Sequence, residues 1–364
     1  MGMAEGMMRC RCMALLVLVG VAASAVSAVS DGLLPNGNFK DGPAKSELNG
    51  TVVMGRHSIP NWEISGFVEY IQSGHTQGGM MVAVPEGASA VRLGNDASIR
   101  QNIRVTRRAY YSVTFSAART CAQAEKLNVS VAADSGVLPV QTVAMHSAVW
   151  LAIHNPGVEE DPACGPVIDA IAIKTLQPPT KTKGNMLRNG DFEDGPYIFP
   201  DSPWGVLVPP MDEDSYSPLP GWMIMSSTKV VKYVDAPRYR VPHGARAVEL
   251  VAGREAALVQ EVRTVAGRSY RLQFYVGDAA NGCKESMVVE AYVAAASLKV
   301  QYQSQGKGGY RRAMLDFVAV GNLTRVVFQS LHYHMKVDGT LCGPVVDDIS
   351  LVSVHKRAAR RLFM

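Results

Sequence analysis

The sequence predicts an all-β protein built from two tandem β-sandwiches of jelly-roll type, carried behind a secretory leader. Three observations predict it: an internal repeat whose motifs keep their order along the chain, strand-like alternation inside each copy, and cysteines that divide evenly between the copies. The 364 residues suit two domains once a leader is removed. Hydrophobic residues make up 47% and charged residues 19%, so the chain can bury real cores and is not a disordered tail. A formal charge of +4 is far from the dense basic stripe of a nucleic-acid binder, and no nucleic-acid partner is expected.

The leader is assigned to residues 1–28. Arg9 and Arg11 precede an apolar run from Met13 to Val21, and small residues follow through Ala22, Ala25 and Ala28. The run falls short of the roughly 20 apolar residues that cross a bilayer. No later stretch does better, so a secreted protein without a membrane span is expected. Cys10 and Cys12 leave with the leader, and Cys121, Cys164, Cys283 and Cys342 remain. In an oxidising compartment these four can pair in three ways.

The repeat chooses among the three. Leu34-Pro35-Asn36-Gly37-Asn38-Phe39 returns as Leu187-Arg188-Asn189-Gly190-Asp191-Phe192, and Pro60-Asn61-Trp62 as Pro220-Gly221-Trp222. Val68-Glu69-Tyr70-Ile71 returns as Val231-Lys232-Tyr233-Val234, and Ala90-Val91-Arg92-Leu93 as Ala247-Val248-Glu249-Leu250. Cys164-Gly165-Pro166-Val167-Ile168-Asp169 returns as Cys342-Gly343-Pro344-Val345-Val346-Asp347. A duplicated domain puts one cysteine pair in each copy, Cys121 with Cys164 and Cys283 with Cys342. Each closes a loop of tens of residues and is worth about 4 kcal/mol in the chain-entropy model. The first domain is assigned to 31–176 and the second to 185–354. The Pro- and Lys-rich stretch 177–184 reads as a linker and 355–364 as a basic tail.

Within the copies the period is two. Tyr111, Val113, Phe115 and Ala117 alternate with Ser112, Thr114 and Ser116, and Tyr270, Leu272, Phe274 and Val276 alternate with Arg271, Gln273 and Tyr275. The copies differ in two places. From Val140 to Cys164 is 24 positions and from Val300 to Cys342 is 42, so the first copy is 18 residues shorter there. Met314 to Val318 fills that space in the second copy, and its absence is expected to cost the first sandwich an inner strand. The second copy also carries a longer loop, Tyr197 to Pro218, and long loops on a rigid scaffold are where binding concentrates.

The paired Asn-Gly-x-Phe starts, the run from His154 to Pro166 and the run from Val276 to Cys283 closely resemble the plant cell-wall proteins of the domain-of-unknown-function 642 family. The resemblance spans about Asp31 to Val352. It implies two galactose-binding-like β-sandwiches in a secreted wall protein that binds polysaccharide (pectin, hemicellulose or cellulose), engages pectin methylesterase and has no established catalytic activity. One departure is the missing stretch before His154, where the family carries an aromatic segment with Gly-Trp-Asp. Two other functions stand beside this one: a hydrolase or esterase acting on the same polymers, and a protein-binding adaptor without sugar affinity.

The residues themselves argue for no catalytic site. Glu159-Glu160-Asp161 is the densest acidic cluster, yet adjacent carboxylates on one loop do not flank a scissile bond. His154, His243, His332 and His334 fall in no metalloprotease or nucleophile-elbow motif. Asp347, with Asp348 and Glu193, has two readings: ligands of a structural calcium joining the first and last strands, or strand-end carboxylates accepting backbone hydrogen bonds. For sugar binding, aromatic platforms are wanted. Trp62 and Trp222 recur at one landmark and read as core, whereas Trp150, Trp204, Tyr216 and Tyr239 are not repeated. Trp204 in the long loop is the preferred ligand contact, with Tyr216 and Tyr239 beside it. De-esterified pectin is expected to bind chiefly through charge, with the basic tail contributing. Asn49, Asn128 and Asn322 open glycosylation sequons.

Overall fold

Each copy of the repeat folds into two antiparallel sheets with a core between them. A computed structural model describes residues 29–354 except 75, 78–79, 122–124, 134–135, 139–146, 159–163, 179–183, 201, 203 and 213–216. The leader at 1–28, most of the linker, Glu159-Glu160-Asp161, Tyr216 and the tail 355–364 lie outside the described residues. No helix among the described residues is long and apolar enough to cross a membrane.

In the first copy the main strands are β1 (Glu63–Ser65), β2 (Val68–Gln72), β3 (Ser89–Leu93), β4 (Ser98–Arg104), β5 (Tyr110–Ala118), β6 (Asn128–Ala133), β7 (Gly136–Leu138), β8 (Ala148–His154) and β9 (Val167–Leu176). One sheet runs β7-β6-β8-β4-β1. The other runs β5-β9-β3-β2 and continues through Val52–Val53 to Leu48–Asn49. The second copy contains β10 (Met223–Met225), β11 (Val231–Asp235), β12 (Arg246–Glu249), β13 (Ala257–Arg263), β14 (Ser269–Gly277), β15 (Ser286–Val293), β16 (Ala296–Gln303), β17 (Tyr310–Val318), β18 (Leu323–Ser330) and β19 (Val345–Ser353). Its sheets run β10-β13-β18-β15-β16 and β11-β12-β19-β14-β17, the latter extended beyond β11 by Val206–Val208.

The repeated motif residues earn their places through backbone geometry. Asn36 and Asn189 take positive φ (52° and 47°), which Asn tolerates better than most residues. Each side chain closes its own loop: Asn36 Nδ2 donates to the Asp41 carbonyl at 2.8 Å, and Asn189 Nδ2 to the Asp194 carbonyl at 2.8 Å. Gly37 and Gly190 admit the last strand, because a Cβ there would fall 2.2 Å from the Ile171 carbonyl and 2.0 Å from that of Ile349. Phe39 and Phe192 also hold positive φ, at 49° and 52°, a strained state for a bulky residue that persists only when neighbours over-determine it. They do: the Tyr70 hydroxyl donates to the Phe39 carbonyl at 2.8 Å and the Tyr233 hydroxyl to that of Phe192 at 2.7 Å. Trp62 and Trp222 are buried, pack on those Phe rings at 5.5 and 5.4 Å, and donate Nε1–H to the Asn36 and Asn189 carbonyls.

Both disulfides form within a copy, Cys121 with Cys164 and Cys283 with Cys342. β17 has no counterpart in the first copy among the described residues. It lies at the edge of its sheet, and is not the inner strand expected from the sequence. The register explains why: β17 pairs along one side of β14, whose other side is taken by β19. Its effect is visible on the matched strands. Leu272 and Phe274 on β14 are fully buried, whereas Val113 and Phe115 on β5 are partly exposed. Ser112 and Thr114, expected to be the solvent phase of β5, are buried too. The outer edge of β5 carries no partner strand among the described residues.

One cross-strand pair is buried and charged in both copies, with the signs reversed. Glu69 on β2 stands opposite Arg92 on β3 and pairs with it, and Glu69 also accepts the Thr51 hydroxyl at 2.5 Å. At the matching positions Lys232 on β11 stands opposite Glu249 on β12, with Nζ 3.1 Å from Oε2. Glu249 further accepts the Asn281 amide and the Gly343 N–H, at 2.8 and 3.0 Å.

Candidate functional site

The outer face of the β7-β6-β8-β4-β1 sheet carries the one tryptophan of the first copy that is not core. Val149, Leu151 and Ile153 on β8 and Ile99, Gln101 and Ile103 on β4 point inward and are buried. Alternation therefore sends Trp150 outward, directly across from Asn102 and diagonal to Arg100 and Arg104. The Arg100 guanidinium lies 4.7 Å from the indole centroid, a contact worth about 0.5–1 kcal/mol where exposed. Arg100 is itself held by a two-pronged pair to Glu63 on β1, each contact 2.9 Å, and Arg56 pairs with the same carboxylate. The Arg100 hydrogen bond is the main reason the Glu63 carboxyl sits below its ordinary pKa. At the far end of β8 the His154 Nε2 is 2.8 Å from Asp96 Oδ1. Ala148, Ala152 and Ser130 around the tryptophan are small. The result is an indole with one face braced by a cation, rising from a low floor with polar side chains beside it. Such a ring can stack a pyranose through its C–H groups while neighbouring donors meet its hydroxyls or carboxylates.

The residues favoured from sequence fare differently. Trp204 is 54% exposed on its loop, with its N–H on Ser202 Oγ at 3.4 Å. Tyr239 is not a surface platform: it is 5% exposed, packs with Val234, Ala247, Ala279 and Val345, and has Lys232 Nζ 4.9 Å from its ring centroid. The cause is local, since the Tyr239 N–H returns to the Asp235 carbonyl at 2.8 Å and folds the segment back on the sheet. Asp347 is fully buried, accepts the Asp348 N–H on Oδ1 at 2.6 Å and the His243 N–H on Oδ2 at 2.8 Å, and burial pushes it up to about 8. Asp169 does the same for Ala170 and Glu86 and is pushed up to about 7, although its copy has Lys40 and Ala170 where the other has Glu193 and Asp348. Glu193 Oε1 accepts the Ala245 and Arg246 N–H groups. These carboxylates serve the backbone, and no three His, Cys, Asp or Glu side chains among the described residues form a metal-holding group. Asn49, Asn128 and Asn322 are exposed.

The profile of the family described as "Protein of unknown function (DUF642)" matches residues 32–174 and 185–352. The chain belongs to the DUF642 family. Two Arabidopsis thaliana relatives, the DUF642 proteins L-galactono-1,4-lactone-responsive gene 2 and gene 1, are 54% and 53% identical, each over 94% of this chain and 97% of the relative. The Arabidopsis thaliana protein TEEBE is 47% identical over 88% of this chain and 90% of its own length. Among solved structures, a family 61 carbohydrate-binding module in complex with β-1,4-galactotriose is 19% identical with a TM-score of 0.31, covering 47% of this chain and 99% of the module. A tandem pair of family 22 modules from a Paenibacillus barcinonensis xylanase is 12% identical with a TM-score of 0.26, covering 91% of this chain and 100% of the pair.

The two halves of this DUF642 chain are not equivalent at the tryptophan face. Trp150 pairs with Asn102, and the register of the second copy puts Arg325 opposite Glu261 at the matching positions, joined by bonds of 2.8 and 3.0 Å. Val259 stands where the first copy has Arg100. The sequence did hold a signal for this site. A tryptophan in the outward phase of a strand, between Ala148 and Ala152 with aliphatic residues in the inward phase, has no core to fill.

Proposed function

We propose that this protein is a secreted, non-catalytic plant wall protein that holds carboxylated wall polysaccharide on the outer face of its first sandwich. The observation that carries the reading is the half-buried Trp150, braced by Arg100 and diagonal to exposed Arg104 on the outer face of the sheet. A stacking ring beside donors suits a pyranose, and the nearby guanidinium favours a uronate over a neutral sugar. Exposed contacts of this kind are screened over roughly 8 Å at physiological ionic strength, so retention on a polyanion falls with salt. Pectin methylesterase is a fitting partner in this reading, because that enzyme uncovers the carboxylates that Arg104 would meet. The test is affinity for sodium polygalacturonate, its methyl ester and cellulose, with native protein and W150A. Loss of roughly tenfold in affinity, about 1.4 kcal/mol, is expected on polygalacturonate. W150A that holds all three polymers as native protein does would sink the reading.

A further inference from the structure

We propose that an N-linked glycan on Asn128 closes the Trp150 face, so that the glycosylation state of the secreted protein sets how much of it can hold polysaccharide. The inference rests on the reading of that face given above. Asn128-Val129-Ser130 is a sequon, and Asn128 opens β6 with its residue exposed. Val129 and Val131 pack against the core, so Asn128 and Ser130 belong to the outer phase of the strand. β6 lies directly beside β8, with Asn128 across from His154 and Ser130 across from Ala152.

From His154 to Trp150 is four residues along β8, roughly 13 Å at about 3.3 Å per residue. The side chains between them on the two strands, Ser130 and Ala152, are small, so the floor from the Asn128 amide to the indole is low. A branched oligosaccharide of several sugars rooted at Asn128 reaches across that floor. Its sugars present the same C–H faces and hydroxyls as a polysaccharide, and tethering gives them an effective concentration in the millimolar range. They would therefore occupy the ring ahead of a dilute polymer. The other two sequons lack this placement. Asn49 sits at the turn into Val52–Val53, in the opposite sheet, and Asn322 at the turn before β18, in the second sandwich.

The experiment uses full-length protein secreted from plant cells. Peptide mass spectrometry gives the glycosylated fraction at Asn128, and a sodium polygalacturonate column gives the retained fraction. Native protein is expected to be retained only to the extent of its unglycosylated fraction. N128Q, S130A and enzymatically deglycosylated native protein are expected to be retained fully, with S130A removing the sequon while keeping Asn128. W150A in the N128Q background is expected to lose retention. Bare Asn128 in the secreted protein overturns the gate, as does equal retention of glycosylated and bare molecules. Full retention of the W150A/N128Q variant overturns the reading of the face itself, and the gate with it.

Discussion

Replacing Arg92 with Met strands a buried carboxylate. Arg92 and Glu69 are both nearly excluded from solvent, with side-chain exposures of 1% and 6%, so the pair contributes little net attraction but each partner is costly alone. Breaking such a pair costs about 3–5 kcal/mol, a large share of the 5–15 kcal/mol that typically holds a domain. At roughly 2–4 °C per kcal/mol for a domain of this size, R92M should lower the first-sandwich transition by about 10 °C. The exchanged pair E69K/R92E should recover most of that loss, because Lys232 and Glu249 hold the reversed arrangement on the matching strands. The measurement is differential scanning calorimetry of the full chain with the single variants, the exchange and native protein, read as a double-mutant cycle. R92M melting within about 2 °C of native protein would refute the reasoning, as would an exchange no better than R92E alone.

Replacing Cys283 and Cys342 together with Ala should cost the second sandwich about 4 kcal/mol, read by denaturant unfolding, whereas a cost under 1 kcal/mol would contradict the loop-closure account. Expressed separately, residues 31–180 should melt below residues 184–356, since β5 lacks the row of cross-strand pairs that β17 gives β14; equal heat resistance would count against it. Asp347 and Asp169, pushed up to about 8 and 7 by burial, stay protonated in the fold after the unfolded chain has ionised. The fold then binds more protons, so their contribution is present below about pH 4 and is lost as pH rises toward 8. D347N should flatten that decline in the second sandwich, and an unchanged slope would refute the assignment.

The fold was legible where sequence motifs answer to backbone geometry. Asn36, Gly37, Phe39 and Trp62 recur because a loop closure, a close strand approach, a strained φ and a buried donor each admit few residue types. The cysteine pairing followed from the same repeat. The candidate site was harder because it breaks the repeat: Arg325 stands where Trp150 does. The long loop favoured Trp204 and absence from the repeat favoured Tyr239, yet nothing in the local sequence of Tyr239 announces that its segment folds back against Val234 and Ala279. The place of β17 was also hidden, since alternation marks a strand without saying whether it lies inside a sheet or at its rim.

The reversed buried pair also bears on how a duplicated chain assembles. Tandem copies of one domain are prone to pair strands across copies, because each copy offers the other a matching apolar pattern. Here β2 and β11 share Val-x-Tyr followed by an aliphatic residue, and β3 and β12 share Ala-Val-x-Leu or its start. A mismatched hairpin of β2 with β12 would set Glu69 against Glu249, and one of β11 with β3 would set Lys232 against Arg92. Like charges facing each other in a buried sheet oppose that pairing, whereas the proper partners attract. The inversion thus labels each strand with the copy to which it belongs, and helps two related sandwiches sort themselves within one chain.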